Sequence, residues 1–457
     1  MDNSIVRRLL KGFGANIYGQ AVVIVIQLAG VPILLRYWHV QLYGEWLILF
    51  AIPAYLSVTD LGFSLSAAND MTARVARGDR AGALTVFQSL TALVLLLAAG
   101  GMVLAGAAAA FLPLGTWLHL SSLSTRDVRW VLWLLAAEVL VKLTEGISHA
   151  GFRATGDFAL HVAIYYSTLF AQHASIWLLA AVGLGPVAAA AAFFIIRAVV
   201  TPAVALLLVR RHRWLYFSFE RARFAVLRAL LRPAMANTGV PLAQALNVQG
   251  MVLVVGAVLG PLAVVTFSTL RTLTRLALQL VLTVSHAAEP ELAAAFGSGN
   301  RTLLKALYQH AVRAAFWLSL AAAITLALTG RWILQLWTRG KVTMDPELFR
   351  WLLASAVASV LWYGSLTLLK AANRHLRAAV VYASSAGAAV VVAAVLLKAT
   401  GNLAGAGMSL LVMDSMMATY TLRAAGRLCG SSAVDSLRSA LNPVPLLRLL
   451  PTNGNAN

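Results

Sequence analysis

The chain is built from apolar runs of roughly 20 residues or more, repeated almost to its end. A run of that length matches the hydrocarbon thickness of a bilayer as a helix, because only a helix satisfies its own backbone polar groups there. That window gives twelve candidate spans, at 13–35, 44–69, 83–113, 130–150, 159–182, 187–209, 233–258, 262–288, 310–337, 348–370, 379–399 and 405–425. Several exceed the minimum, so tilt or extension beyond the bilayer is expected. A membrane β-barrel would show ~10-residue alternating segments instead. Composition agrees: 60% of the 457 residues are hydrophobic and 11% charged, with a mean hydropathy of +0.80. Globular domains hold about 25% charged residues, so a soluble enzyme and a disordered chain are excluded. The single cysteine, Cys429, forms no intramolecular disulfide and no cysteine-based metal motif.

At the N-terminus, Arg7, Arg8 and Lys11 precede an apolar stretch from Phe13. It is too long for a signal-peptide core and no small-residue cleavage site follows, so it reads as the first membrane helix. The net charge of +20 would suit nucleic acid, but the basic residues fall in short clusters between the apolar runs. The two ends and the even-numbered turns hold 23 of the 36 lysines and arginines, with seven between Arg210 and Arg232. The opposite side holds eight, among them Arg36, Arg126, Arg129 and Lys398. By the positive-inside rule both termini are cytoplasmic. The remaining five lie within or at the edges of spans. The tail after Asn442 reads as disordered.

The longest interruption is 210–232. Trp214, Phe217, Phe224, Leu227 and Leu231 recur there at helical spacing between arginines, which predicts an amphipathic helix held on anionic lipid. It divides the chain into an N-lobe (1–209), a C-lobe (233–425) and a cytoplasmic tail (426–457), with 210–232 as linker. The halves match at an offset of 221: Asn16 falls on Asn237, Asp70 on Glu291, Gly78 on Gly299, Arg80 on Arg301 and Arg153 on Arg374. The expected fold class is therefore an all-α polytopic membrane protein. Its twelve or so transmembrane helices form two pseudo-symmetric six-helix lobes around a central cleft, a geometry for alternating access.

Leu42-Tyr43-Gly44-Glu45-Trp46, Asp60-Leu61-Gly62-Phe63, Asn69 and Gly78-Asp79 open the first half. Val258-Leu259-Gly260-Pro261, Phe267, Arg271-Thr272-Leu273, Pro290-Glu291 and Gly299-Asn300 open the second. Taken in order over most of the chain, they resemble the polysaccharide and O-antigen flippases of the multidrug/oligosaccharidyl-lipid/polysaccharide exporter superfamily. The resemblance implies a multi-pass protein of the bacterial cytoplasmic membrane. It also implies an undecaprenyl-pyrophosphate-linked oligosaccharide as substrate, moved to the outer leaflet for surface polysaccharide such as lipopolysaccharide. Membrane lipid, a polysaccharide polymerase and other assembly proteins are the implied partners. The superfamily's lipid-II flippases usually carry two further helices, which this chain lacks.

A sugar head group needs a wet polar groove, and its phosphates need fixed positive charge. Arginine suits phosphate because its fork binds two oxygens and stays charged. Ser268, Arg271, Arg275 and Gln279 share one face of the eighth span, with His286 continuing the stripe. Intramembrane arginines cost several kcal/mol (order of magnitude) unless they line water or meet an anion. Arg271 and Arg275 are therefore the expected pyrophosphate ligands. Asn16, Gln20 and Gln27, with Asn237 and Gln244 in the second half, are candidates to line the cleft; interhelical hydrogen bonding is the competing explanation. Candidates for ion coupling are Asp60, Glu138, Lys142 and Glu145. Glu138 and Lys142 are spaced to pair within one helix, with Arg197 on another span able to offset an acid. Asp60 and the lone acid Asp414 read more simply as structural. No P-loop, paired-carboxylate constellation, metal motif or large extramembrane loop appears, so neither an enzyme nor a cofactor is expected, and no nucleic-acid partner. A cation-coupled multidrug or metabolite antiporter of the same superfamily is the alternative function.

Overall fold

Proline and glycine decide where the apolar runs break. The computed structural model describes residues 3–58, 62–112, 114–372 and 374–442, and every regular element among them is helical. Asp60, the side chain of His286 and the tail beyond Asn442 lie outside the described residues. The first helix, α1 (Asn3–Ala54), is two helices meeting at His39, whose φ of 61° and ψ of 166° leave the helical region. The second expected span does not run unbroken to 69. Pro53, which has no N–H to give, precedes a tight 3₁₀ turn at Tyr55–Val58, and the chain restarts as α2 (Phe63–Ala76) after Gly62. Gly62 takes a left-handed φ of 71°, and a Cβ there would stand 2.6 Å from the Ala234 carbonyl oxygen. Glycine is thus what lets this turn adopt its conformation and approach the later helix.

The remaining spans appear close to where the apolar runs place them. They are α3 (Arg80–Phe111), α5 (Thr125–Thr155), α6 (Phe158–Ala181) and α7 (Pro186–Arg211), with a single turn, α4 (Leu114–Trp117), ahead of α5. Next come α8 (Phe224–Ala245), a π-turn (Leu246–Gly250), α9 (Met251–Leu259) and α10 (Pro261–Ala287). Then follow α11 (Glu289–Gly297), α12 (Arg301–Thr338), α13 (Pro346–Ala371), α14 (Leu376–Thr400), α15 (Ala404–Cys429) and α16 (Ala433–Leu441). Seven of the described helices are long and apolar enough to cross a membrane. Leu96, Val103 and Leu104 on α3, Leu328 and Leu336 on α12, and Val391 on α14 are exposed along them. Apolar side chains turned outward in this way are suited to lipid, not water.

The expected amphipathic helix over 210–232 is corrected. Residues 212–223 are not helical, and α8 begins only at Phe224. The cause is tertiary. Leu215 is fully buried in the core beside Phe87, whose ring also meets Phe217. The backbone is claimed by α3: Arg221 N–H donates to Gln88 Oε1 at 2.8 Å, Arg223 N–H donates to Ser89 Oγ at 2.9 Å, and Gln88 Nε2 donates back to the Tyr216 carbonyl at 3.4 Å.

The internal repeat is visible in local structure. At the 221 offset, Gly78 and Gly299 both take left-handed φ, 80° and 70°. Asp79 and Asn300 then cap α3 and α12, accepting from the Gly82 and Leu303 N–H groups. Ser124 and Asp345 cap α5 and α13 at the same offset, through the Asp127 and Leu348 N–H groups. His39 and Gly260 are the paired breaks in the first helix of each repeat. Beyond α13 the offset shortens to 218: α7 and α15 open at Pro186 and Ala404 and close at Arg211 and Cys429. Asp79 is exposed, and the Gly82 N–H, helped by Arg74, holds its carboxyl below the usual range.

By packing, the chain forms two compact units, up to Val265 and from Thr266. The first has a core of Phe63, Phe87, Leu90, Leu140, Phe152, Leu208 and Leu215, completed by Leu230 and Ala234 of α8. The second has a core of Leu304, Tyr308, Val312, Leu368, Ala425, Cys429 and Ala440. There α16, opened by a capping box of Ser432 and Asp435, is held by Arg313, which donates to the Ser439 carbonyl and hydroxyl at 2.8 Å each.

Candidate functional site

In the first unit the buried charges converge on one guanidinium. Arg197 on α7 is 1% exposed. Its Nε donates to Glu138 Oε1 at 3.1 Å, one terminal nitrogen donates to Glu145 Oε2, and the other donates to Gln172 Oε1 at 2.9 Å. Gln172 on α6 returns its amide N–H groups to Glu138 Oε1 and the Phe193 carbonyl, each at 3.0 Å. Three helices are thereby pinned by a network in which the arginine fork is used on both edges. The expected Glu138–Lys142 pair is corrected: Glu138 goes to Arg197 and Gln172, while the Lys142 ammonium lies 5.6 Å over the Tyr165 ring. An i, i+4 pair is worth a few tenths of a kcal/mol (order of magnitude) on a surface, and a fully buried carboxylate takes the partner that also satisfies its hydrogen bonds.

Glu145 reaches further. Its other oxygen stands 3.6 Å from His161 Nε2. Both border a cavity of about 350 Å³ lined by Asn16, Lys142, Glu145, His149, His161, Tyr165 and Tyr166. The structure thus brings Asn16, Lys142 and Glu145 together, and adds two histidines and two tyrosines to them. Gly19 makes room for this wall: a Cβ there would collide with the Tyr166 ring.

In the second unit, α10 carries Arg271 and Arg275 four residues apart. Arg271 is 9% exposed and sits 5.5 Å over the Phe267 ring. Arg275 is exposed and makes no hydrogen bond or ion pair among the described residues. Both act electrostatically on Asp414 of α15. Asp414 accepts from the Ser355 hydroxyl and, at 2.9 Å, from Trp362 Nε1 of α13. The Trp362 indole stacks on Tyr363 at 3.8 Å and meets Tyr382 of α14 at 4.9 Å. The result is two arginines, one buried carboxylate and an aromatic wall.

The other expected polar residues separate by role. Gln20 and Gln244 are exposed, Asn16 is exposed with its amide on the Gly12 carbonyl, and Gln27 Oε1 is buried with no hydrogen-bond partner. Asn237 is spent structurally, donating to Ser66 Oγ at 3.0 Å. The Ser268 hydroxyl is buried without a partner, and Gln279 is part-buried. The sequence pattern did not single out Gln172, His161, Ser355, Trp362, Tyr363 or Tyr382. Only the presence of Arg197 on another span, able to offset an acid, pointed to the first network.

The chain thus holds buried charge clusters inside long apolar helices arranged as a repeat. Solved structures agree on the fold. The chain superposes on an inward-facing multidrug resistance MATE family transporter of the MOP superfamily with a TM-score of 0.72, at 16% identity over 94% of this chain and 96% of that one. The lipid II flippase MurJ, in an inward closed conformation, matches at 0.67 and 13% identity over 98% and 94%. A Pyrococcus furiosus MOP superfamily transporter, described as having a binding pocket of reversed polarity, matches at 0.63 and 15% over 93% and 95%. No family model matches the sequence, and no curated protein does. The fold is that of MOP superfamily transporters.

Proposed function

We propose that the chain is a flippase that moves an undecaprenyl-pyrophosphate-linked oligosaccharide across the bacterial cytoplasmic membrane by alternating access, for surface polysaccharide synthesis. Arg271 and Arg275 receive the diphosphate in this reading. The observation that carries it is the charge of the α10 site. Two guanidiniums stand against one carboxylate, Arg275 is exposed, and Asp414 is satisfied by neutral donors instead of an ion pair. A net positive site in a low-dielectric surround favours an anionic cargo. Ser268 and Gln279, on the same helix as the two arginines, supply hydrogen bonds for sugar hydroxyls. The likeness to MurJ, a lipid II flippase, supports a lipid-linked substrate.

The test is surface-polymer output in cells carrying Arg271→Ala, Arg275→Ala and the double variant. Output is expected to fall at least tenfold in the double variant with membrane abundance unchanged, and lysine is expected to restore part of it. Unchanged output would remove both arginines from the substrate site. A cation-coupled antiporter is favoured by one observation, the cavity edged by Glu145 and His161 in the first unit. Proton- or sodium-driven efflux of a cationic dye that is lost in Glu145→Gln, with lipid-linked sugar unmoved, would select that reading.

A further inference from the structure

Asp414 is the feature of the α10 site that anion binding alone leaves unexplained. A carboxylate beside two arginines weakens a site meant for a diphosphate, and a structural acid would be expected to clamp one of them. It does neither in a simple way. Asp414 is buried, forms no ion pair among the described residues, and gives one oxygen to the Ser355 hydroxyl and the other to Trp362 Nε1. Its coupling to Arg271 and Arg275 is through space. The groups around it are Arg271 and Arg275 from α10, Ser355, Trp362 and Tyr363 from α13, and Tyr382 from α14. The next charged residue on α15 itself is Arg423.

The hydrogen-bond partners matter because they work in both protonation states. A hydroxyl is donor and acceptor alike. When Asp414 is ionised, Ser355 donates to it. When Asp414 carries a proton, its own O–H donates to Ser355 Oγ, and Trp362 still donates to the other oxygen. Both carboxyl oxygens keep a hydrogen-bond partner in either state. The charge of the site changes from one net positive to two.

We infer that Asp414 links proton binding to diphosphate binding, so that the site takes up a proton together with the anion. This rests on the reading of Arg271 and Arg275 as the diphosphate ligands. Linkage is reciprocal: a proton on Asp414 strengthens anion binding, and the bound anion favours the proton by the same factor. Low pH on the loading side therefore promotes capture, and loss of the proton promotes release.

The test is binding of farnesyl diphosphate to the full chain in lipid nanodiscs between pH 5.5 and 8, with empty nanodiscs as blank. Wild type, Asp414→Asn, Arg271→Ala and Arg275→Ala are compared. Asparagine keeps an oxygen for Trp362 and removes the titration, so the variant reports the ligand's own ionisation. The ratio of variant to wild-type affinity is expected to approach one at low pH. At high pH it is expected to rise to roughly tenfold, within the 5- to 150-fold typical of coupled sites. A ratio independent of pH overturns the linkage while arginine-dependent binding leaves the diphosphate site standing. Binding that survives both alanine variants overturns the diphosphate site and the linkage with it. If Asp414→Asn does not fold, the wild type still decides. Calorimetry in buffers of different ionisation enthalpy measures protons taken up on binding. Arginines alone select the fully ionised diphosphate and release protons, so net uptake supports the linkage and net release overturns it.

Discussion

The two units place opposite charges one position apart on the corresponding helix of the repeat. In the first, α7 contributes Arg197, and α5 and α6 surround it with Glu138, Glu145 and Gln172. In the second, α15 contributes Asp414, and α13 surrounds it with Ser355 and Trp362. Under the 218 offset that aligns α7 with α15, Arg197 falls on Ser415, the neighbour of Asp414. The acids of α5 are not repeated: at the 221 offset Glu138 and Glu145 become Ser359 and Leu366. Polarity is thus set late, by side chains, on a backbone plan that both repeats share. In the first network one guanidinium bridges both carboxylates. The second is left with excess positive charge, which makes it the better place for a ligand.

The sharpest way to break this comparison is to remove the centre of the closed network. Arg197→Met strands two buried carboxylates, and losing one partner of a buried pair costs about 3–5 kcal/mol. Membrane abundance and thermal unfolding in detergent should show a large loss. Adding Glu138→Gln and Glu145→Gln should recover most of it, because the uncompensated charges are then gone. Recovery failing in the triple variant would mean that the network does more than neutralise itself.

A smaller effect is expected where the repeats differ at their first break. Gly260, with φ 83° and ψ 178°, occupies a region open almost only to glycine, and His39 occupies nearly the same region at φ 61° and ψ 166°. Strain of this kind is worth on the order of 1–3 kcal/mol. Gly260→Ala should lower the unfolding temperature, and His39→Gly should raise it or leave it unchanged. A loss of stability in His39→Gly would show that the histidine side chain earns its place by contacts.

The smallest effect compares the caps Asp79 and Asn300. Asp79 is exposed, and its carboxyl is held below its ordinary value of 3.8 by the Gly82 N–H and then Arg74. A lowered folded value means that the cap's contribution is complete above pH 3.8 and fades as the pH drops below it. Amide exchange at Gly82 should therefore quicken in acid relative to that at Leu303, where Asn300 does not titrate. Asp79→Asn should make the two ends behave alike.

Much of this was legible in the chain. Apolar length located the spans because the bilayer core imposes one scale on every crossing helix. The Gly-Asp-Arg and Gly-Asn-Arg turns revealed the repeat because each encodes a left-handed glycine and a cap, features fixed within four residues. What escaped was decided at long range. Glu138 has Lys142 four residues away but binds Arg197, 59 positions on. Phe217 and Trp214 keep helical spacing in a segment that is not helical, because Gln88 and Ser89 claim its backbone. Asp414 looked merely structural because its hydrogen-bond partners are uncharged and leave no charge pattern to read.

The seating of α8 bears on how such a protein divides. Leu230 and Ala234, from the opening helix of the second repeat, complete the interior built by the first. A gene severed at the duplication seam, between Arg223 and Phe224, would yield a first product that lacks Leu230 and Ala234 from its hydrophobic interior. A break after Val265 falls five residues into α10, and the first piece keeps α8 and the interior it completes.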